Sequence, residues 1–333
     1  MVNNSSEPAQ NMSARGEDFT HEEMIAWCFG FGIIDVLIVI SNTLAIVVFT
    51  RSKLLRKRTN YFLLCLAIAD MMVGTISLPM FLYTLVAYIQ GGHVSPLVVQ
   101  VPLVFDIFTG FASVFALAII SLERLYSVVL PNWHRTTPSY VYGISIAIIW
   151  TLAGLPVVIR ILEWEGLAKK DTMMYFTIVC FFICLVVICL AYIGIWIKVV
   201  QRMHEKTQRS LEKDKRLAMT LFLVTAIFVL TWLPFQGMNI YIPKICRAGV
   251  CPKDMQIMVY LTKLMQYANS FINPIIYTFK MPDFRRVVLA LFGRRSYGAS
   301  TRATSRMLTE RRKRTSTLRS SEYEANGNCE NAV

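Results

Sequence analysis

The stretch from Val104 to Tyr126, "VFDIFTGFASVFALAIISLERLY", decides the fold. It is apolar almost throughout, yet it carries Asp106 near one end and Glu123-Arg124 near the other. A charge at the centre of a membrane helix costs ~2.5–3.5 kcal/mol on insertion scales. Asp106 and Arg124 are 18 positions apart. An α-helix makes five turns over that interval and rises ~27 Å, so the two residues share one face near opposite edges of a hydrocarbon layer. Ser113, seven positions after Asp106, lies on the same face. A polar stripe of this kind belongs toward a bundle interior or a water-filled cavity. Two charges snorkelling from the helix ends would account for Glu123 and Arg124 individually, but less well for Asp106.

The rest of the chain fits a membrane setting. Its 333 residues are 55% hydrophobic and 17% charged, with a mean hydropathy of +0.49. Soluble domains are typically ~25% charged. Seven runs are long enough to span a bilayer, which takes ~20 mostly apolar residues: 25–50, 60–88, 97–128, 139–162, 174–200, 216–242 and 256–279. The expected fold is an all-α membrane protein, a seven-transmembrane helix bundle plus a short C-terminal amphipathic helix. The expected organisation is a tail over 1–24, the bundle over 25–280, the amphipathic helix over 281–293 and a disordered tail over 294–333.

The net charge of +13 gathers on one face. Arg51, Lys53, Arg56, Lys57 and Arg58 follow the first run, and Lys198, Arg202, Lys206, Arg209, Lys213, Lys215 and Arg216 flank the turn after the fifth. The connection "IQGGHVSP" has no Lys or Arg. Positive-inside counting puts the N-terminus outside and the C-terminus in the cytoplasm. The charge then belongs to the cytoplasmic membrane face and its lipids, not to nucleic acid. The first 24 residues have no apolar core of a cleaved signal peptide, so the first helix is expected to direct its own insertion. The outer tail holds sequons at Asn3, Asn4 and Asn11, acceptors for glycans. Of the eight cysteines, Cys65, Cys180, Cys184 and Cys189 fall in apolar runs and read as small packing residues. Cys246 and Cys251, in "CRAGVC" before the seventh run, are close enough in sequence to close a small disulfide ring on the oxidising side.

Other runs carry their own buried polar groups. Asn42 stands in "ISNTLAIVVF", Asp70 ends "LAIAD", and "NSFINPIIY" gives Asn269, Asn273, Pro274 and Tyr277. "FVLTWLPF" places Phe228 and Trp232 ahead of Pro234 and Phe235, so that a proline-bent helix carries a bulky lever. Taken with Glu123-Arg124-Leu125, Trp150 and Tyr192, these motifs resemble the rhodopsin-like family of G protein-coupled receptors over about residues 25–293. After them, "DFRRVVLALF" looks like that family's amphipathic helix, with Phe284, Val287, Val288 and Leu291 toward lipid and Arg285 and Arg286 toward headgroups.

The resemblance implies roles. Arg124 would engage a heterotrimeric G protein at the plasma membrane and, at rest, pair with Glu123 and with Asp214 at the foot of the sixth segment. Tyr192, Asn273, Pro274 and Tyr277 would belong to the same switch. Asp70, Ser113, Trp232, Asn269 and Asn273 match an interior sodium site, whose oxygen ligands suit a hard cation. Asp106 matches the acid by which aminergic receptors hold a protonated amine, with Tyr267 beside it and Trp232, Phe235, Gln236 and Thr177 around it. The implied ligand is therefore a small extracellular amine, with a peptide or lipid as the alternative. Lys263 shares the face of Tyr267, and four roles stay open for it: pairing with Asp106, pairing with Asp35, holding an anionic ligand group, or snorkelling outward. Thr315, Ser316 and Thr317, beside the basic run "RRKR", would be phosphorylated and then bind arrestin.

Two departures stand out. Val99 occupies the position of the family's bridging cysteine, and "EWEGLAKKDTMM" in the facing loop has none; Cys184 replaces a proline of the fifth segment. Both resemble the melanocortin, cannabinoid and lysophospholipid branch. A retinal photoreceptor, the remote alternative, would need a lysine where Tyr267 stands, and Lys263 is one turn away. A channel or transporter would need inverted repeats or a filter, and an enzyme would need a nucleophile–base set or metal-ligand spacing. The sequence offers none of these.

Overall fold

A computed structural model describes residues 19–51, 59–91, 95–203, 208–246 and 251–292. Among them there are helices and no strands. The helices are α1 (His21–Arg51), α2 (Thr59–Met72), α3 (Leu78–Ile89), α4 (Pro96–Val129), α5 (Pro131–Thr136), α6 (Ser139–Trp164), α7 (Thr172–Met203), α8 (Gln208–Ile245), α9 (Lys253–Lys280) and α10 (Pro282–Leu291). The second apolar run, expected as one continuous helix, is α2 and α3 joined by a π-helical turn, Val73–Ser77. Pro79 has no N–H to return to the carbonyl of Thr75, so the α-helical ladder lacks a bond there. Gly74, inside the turn, lies hard against α1: a Cβ added to it would come within 2.8 Å of Ile38.

Among the described residues, six spans are long and apolar enough to cross a membrane by length and composition: α1, the α2–α3 unit, α4, α6, α7 and the Phe222–Ile242 part of α8. The seventh, α9, is 28 residues long, ~42 Å at 1.5 Å per residue, against a hydrocarbon thickness of ~30 Å. It is less apolar because it carries polar groups inward: Gln266, Asn269, Ser270 and Asn273 are all buried. The large exposed side chains are the complement of this pattern, with Phe29, Phe182, Trp196 and Phe279 all facing outward, as a lipid-solvated surface requires.

Capping residues set two of the starts. Thr20 and Glu23 form a reciprocal capping box at the head of α1. The Ser95 hydroxyl accepts from the Val98 N–H at the head of α4, with Pro96 as first helical residue. Lys253 then ties the head of α9 to α1 through Glu23, at 2.9 Å. Within the unit Met1–Phe284, α4 is the central helix. It packs on α2, α6 and α7, while α8 lies along α9 and α9 along α1. Cys65 and Cys184 are buried packing residues as expected, Cys180 is half-buried and Cys189 is exposed. Cys246 and Cys251 are joined as a disulfide across the α8–α9 turn.

One expectation for α10 is corrected. Phe284 does not face lipid; it is fully buried against Phe49 and Tyr277, with ring centroids 5.3 and 6.0 Å away. The first apolar residue of the helix thus meets protein and not lipid. The residues from Arg285 onward form a separate unit, of which 285–292 are described. The sequons at Asn3, Asn4 and Asn11 and the hydroxyl cluster Thr315, Ser316 and Thr317 lie outside the described residues.

Candidate ligand cavity and switch

Near the end of the bundle where α1 begins, α4, α6, α7, α8 and α9 enclose a cavity of about 580 Å³. That volume falls in the range of small-ligand sites. Asp106, Thr177, Trp232, Phe235 and Gln236, all marked in the sequence, line it. Asp106 projects from the polar stripe of α4 and is only 7% exposed. Its partner is Lys263 of α9, whose Nζ donates to Asp106 Oδ2. Of the four roles open for Lys263, the structure shows this one. The ammonium also lies 4.6 Å from the ring centre of Phe235 and 4.9 Å from that of Tyr267, inside cation–π range. An acid and two aromatic faces therefore already hold a cation, and the cation is the protein's own. Tyr267 in turn packs against Phe31 and Phe81.

Sequence reading missed three lining residues. Gln266 is buried one turn beyond Lys263, and its Oε1 has no hydrogen-bond partner. Arg160 of α6 donates from Nη2 to Gln100 of α4 at 3.0 Å and from Nη1 to Glu163 at 3.4 Å. Arg160 and Glu163 both line the cavity. The signal for Arg160 was the one that marked Asp106: a charge inside an apolar run, here "GLPVVIRILEW".

Below Asp106, the tip of the Trp232 indole meets Gly110, where an added Cβ would collide with its ring. Trp232 also stacks on Phe228, and Phe228 on Phe181, at 5.1 and 6.2 Å. Ser113, Asn269 and Trp232 border a second, minute space of about 10 Å³, enough for about one water-sized sphere. Asn269 Oδ1 is buried there without a partner. Asp70 stands off from this lining and accepts from Asn273 Nδ2 at 2.9 Å. Asn42 bonds across to the Ser270 carbonyl at 3.0 Å, tying α1 to α9. The oxygens of this cluster are those a hard monovalent cation takes.

At the far end, Glu123 accepts from Arg124 Nε at 2.8 Å and lies 2.9 Å from Nε2 of His134 on α5. His134 is also 3.2 Å from the Tyr142 hydroxyl at the start of α6. Leu125, where the family triplet has an aromatic residue, presses onto Gly194 of α7. Tyr192 bonds to Thr225 of α8 at 3.3 Å. Tyr277 and Pro274 are buried in α9. Asp214 lies on α8, and its side chain is outside the described residues.

A seven-helix membrane bundle with a central cavity near one end and an Arg-centred polar cluster at the other has the architecture of a seven-transmembrane receptor. The family model "7 transmembrane receptor (rhodopsin family)" matches residues 41–277. The chain belongs to that family and is a G protein-coupled receptor, a multi-pass membrane protein and not an enzyme. It is similar to the somatostatin receptor type 5 of Rattus norvegicus, at 29% identity over 77% of this chain and 75% of the relative. It is also similar to the adenosine receptor A3 of Canis lupus familiaris, at 24% over 78% and 88%. The D(1B) dopamine receptor of Mus musculus matches at 25% over 79% and 68%.

Proposed function

We propose that the receptor is switched by an extracellular amine that takes the place of Lys263 at Asp106. One observation carries this reading: the carboxylate and the rings of Phe235 and Tyr267 already hold an ammonium. A ligand ammonium can occupy the same cage with no change in its chemistry. Displacing Lys263 frees α9 from α4 at that level, and Trp232, between the cavity and the lower bundle, would pass the change on. At the far end Arg124 would then leave Glu123 and, on this reading, Asp214, and meet the G protein.

The N-terminal tail, with its sequons at Asn3, Asn4 and Asn11, would lie outside the plasma membrane. The unpartnered Asn269 oxygen supports a sodium ion in the resting receptor, in a site formed by Asp70, Ser113, Trp232, Asn269 and Asn273. Phosphorylation of Thr315, Ser316 and Thr317 would recruit arrestin. A peptide or lipid agonist is the second reading, favoured by the similarity to a somatostatin receptor.

The test is a panel of amines, peptides and lipids applied to cells reporting cAMP and calcium. For an amine agonist, Asp106→Asn keeps the shape and removes the charge. Potency should fall ~10²-fold or more, since an unpaired charged contact costs ~2–5 kcal/mol. Lys263→Ala should leave amine potency unchanged or raise it. An Asp106→Asn receptor answering an amine as the unmutated one does would remove the amine and leave the peptide or lipid.

A further inference from the structure

We infer that the cavity has a second, cationic pole at Arg160 that takes a carboxylate, so that its ligand is a zwitterion. The inference rests on the amine reading above and adds a charge balance to it. The ionic groups that line the cavity, counted together with Lys263, are matched in sign. Asp106 is offset by Lys263, and Arg160 by Glu163. Lys170 and Asp171 at the rim add one charge of each sign. A simple ammonium that displaces Lys263 leaves the lysine's own charge without its acid, beside a space walled largely by Leu103, Ile107, Phe111, Met173 and Trp232. Uncompensated charge in such surroundings is costly. A ligand that brings its own acid enters with no net charge, and the balance is kept.

Arg160 is the residue fitted to receive that acid. Its Nε is buried and has no hydrogen-bond partner. Its contact with Glu163, at 3.4 Å, is longer than the ~2.7–2.9 Å of a strong charge-assisted bond, so Glu163 balances the guanidinium without saturating it. The planar fork matches a carboxylate in two-point contact, which a lysine cannot do. Lys170 is exposed at the rim, where water screens it. The bond to Gln100 also fixes the height of Arg160. Gln100 precedes Asp106 by six positions on α4, ~9 Å of helix rise. The ligand therefore has an ammonium and a carboxylate separated by about that length or more. An α-amino acid is too short. Three extended residues, at ~3.3–3.6 Å each, reach across.

The experiment uses the full chain in lipid nanodiscs. Tripeptides with a free N-terminus are compared, each as free acid and as C-terminal carboxamide, by their effect on the receptor's melting temperature and by competition. At least one free acid should bind, and its carboxamide should bind at least ten-fold more weakly. Arg160→Gln should abolish that difference by weakening the acid alone, and Arg160→Lys should retain part of it. Asp106→Asn should weaken both members of the pair. If no free acid outperforms its carboxamide, or if Arg160→Gln weakens both members equally, the anionic subsite is wrong and Arg160 only joins α6 to α4. Binding of both members untouched by Asp106→Asn would instead strike at the amine reading, whatever Arg160 does.

Discussion

At the residue scale, Asp106 and Lys263 must be understood together. Each is nearly buried, with side-chain exposures of 8% and 12%. Removing one partner of such a pair leaves the other charge uncompensated, which costs ~3–5 kcal/mol, whereas replacing both is often close to neutral. Lys263→Gln alone should thus lower the thermal stability of the purified receptor, and Asp106→Asn alone should do the same. The double variant should recover most of the loss in a melting experiment. Additive losses would mean that the two side chains do not share one interaction. The sequence made Asp106 and Arg124 legible because both sit on one helix, where an 18-position interval fixes their relation. It left Lys263 with four roles because its partner is on another helix, 157 positions away. His134 and Arg160 went unremarked for the same reason. The partners that give them meaning, Glu123 and Gln100, lie across elements.

At the scale of elements, the decisive contact is the seat of Trp232 on Gly110. α8 can approach α4 there only because position 110 has no side chain. Gly110→Ala should push the indole away and disturb its stack on Phe228. Overpacking of this kind costs ~1–3 kcal/mol. Basal signalling at matched surface expression should change, because the ring lies between the cavity and the lower bundle. An alanine receptor with wild-type stability and wild-type basal output would show that the indole has room to spare. Helix number and approximate bounds were readable from hydrophobic runs of bilayer length. The π turn at Val73–Ser77 was not, because one extra residue in a turn leaves the run just as apolar. The burial of Phe284 was also hidden. Periodicity tells which face of α10 is apolar, not whether lipid or protein covers it.

At the scale of the whole molecule, the fold is ordered by polarity. Among the described residues, acids, amides and hydroxyls such as Asp70, Asp106, Asn269 and Ser113 are buried within an apolar core, and large aromatic and aliphatic side chains cover the outside, because unpaired polar groups in hydrocarbon are costly. By positive-inside counting, the lysine- and arginine-rich connections would face the cytoplasm. An epitope tag added before Met1 should be stained by antibody on intact cells. Staining only after permeabilisation would reverse the orientation.

Val99 has one more consequence. In this receptor α4 is not covalently joined to the turn between α6 and α7. The disulfide present spans only the α8–α9 turn, a separation of five positions. At the level of Arg160, α6 is tied to α4 by a hydrogen bond to Gln100, and elsewhere by packing such as Phe108 on Trp150. The mouth of the cavity is thus held by non-covalent contacts that form and break reversibly, and thiols in the surrounding medium have nothing to cut between α4 and that turn. A cell bearing this receptor should go on responding in a reducing environment. Agonist potency measured before and after a membrane-impermeant reductant should agree, and a large loss of potency would show that the Cys246–Cys251 ring governs the entrance.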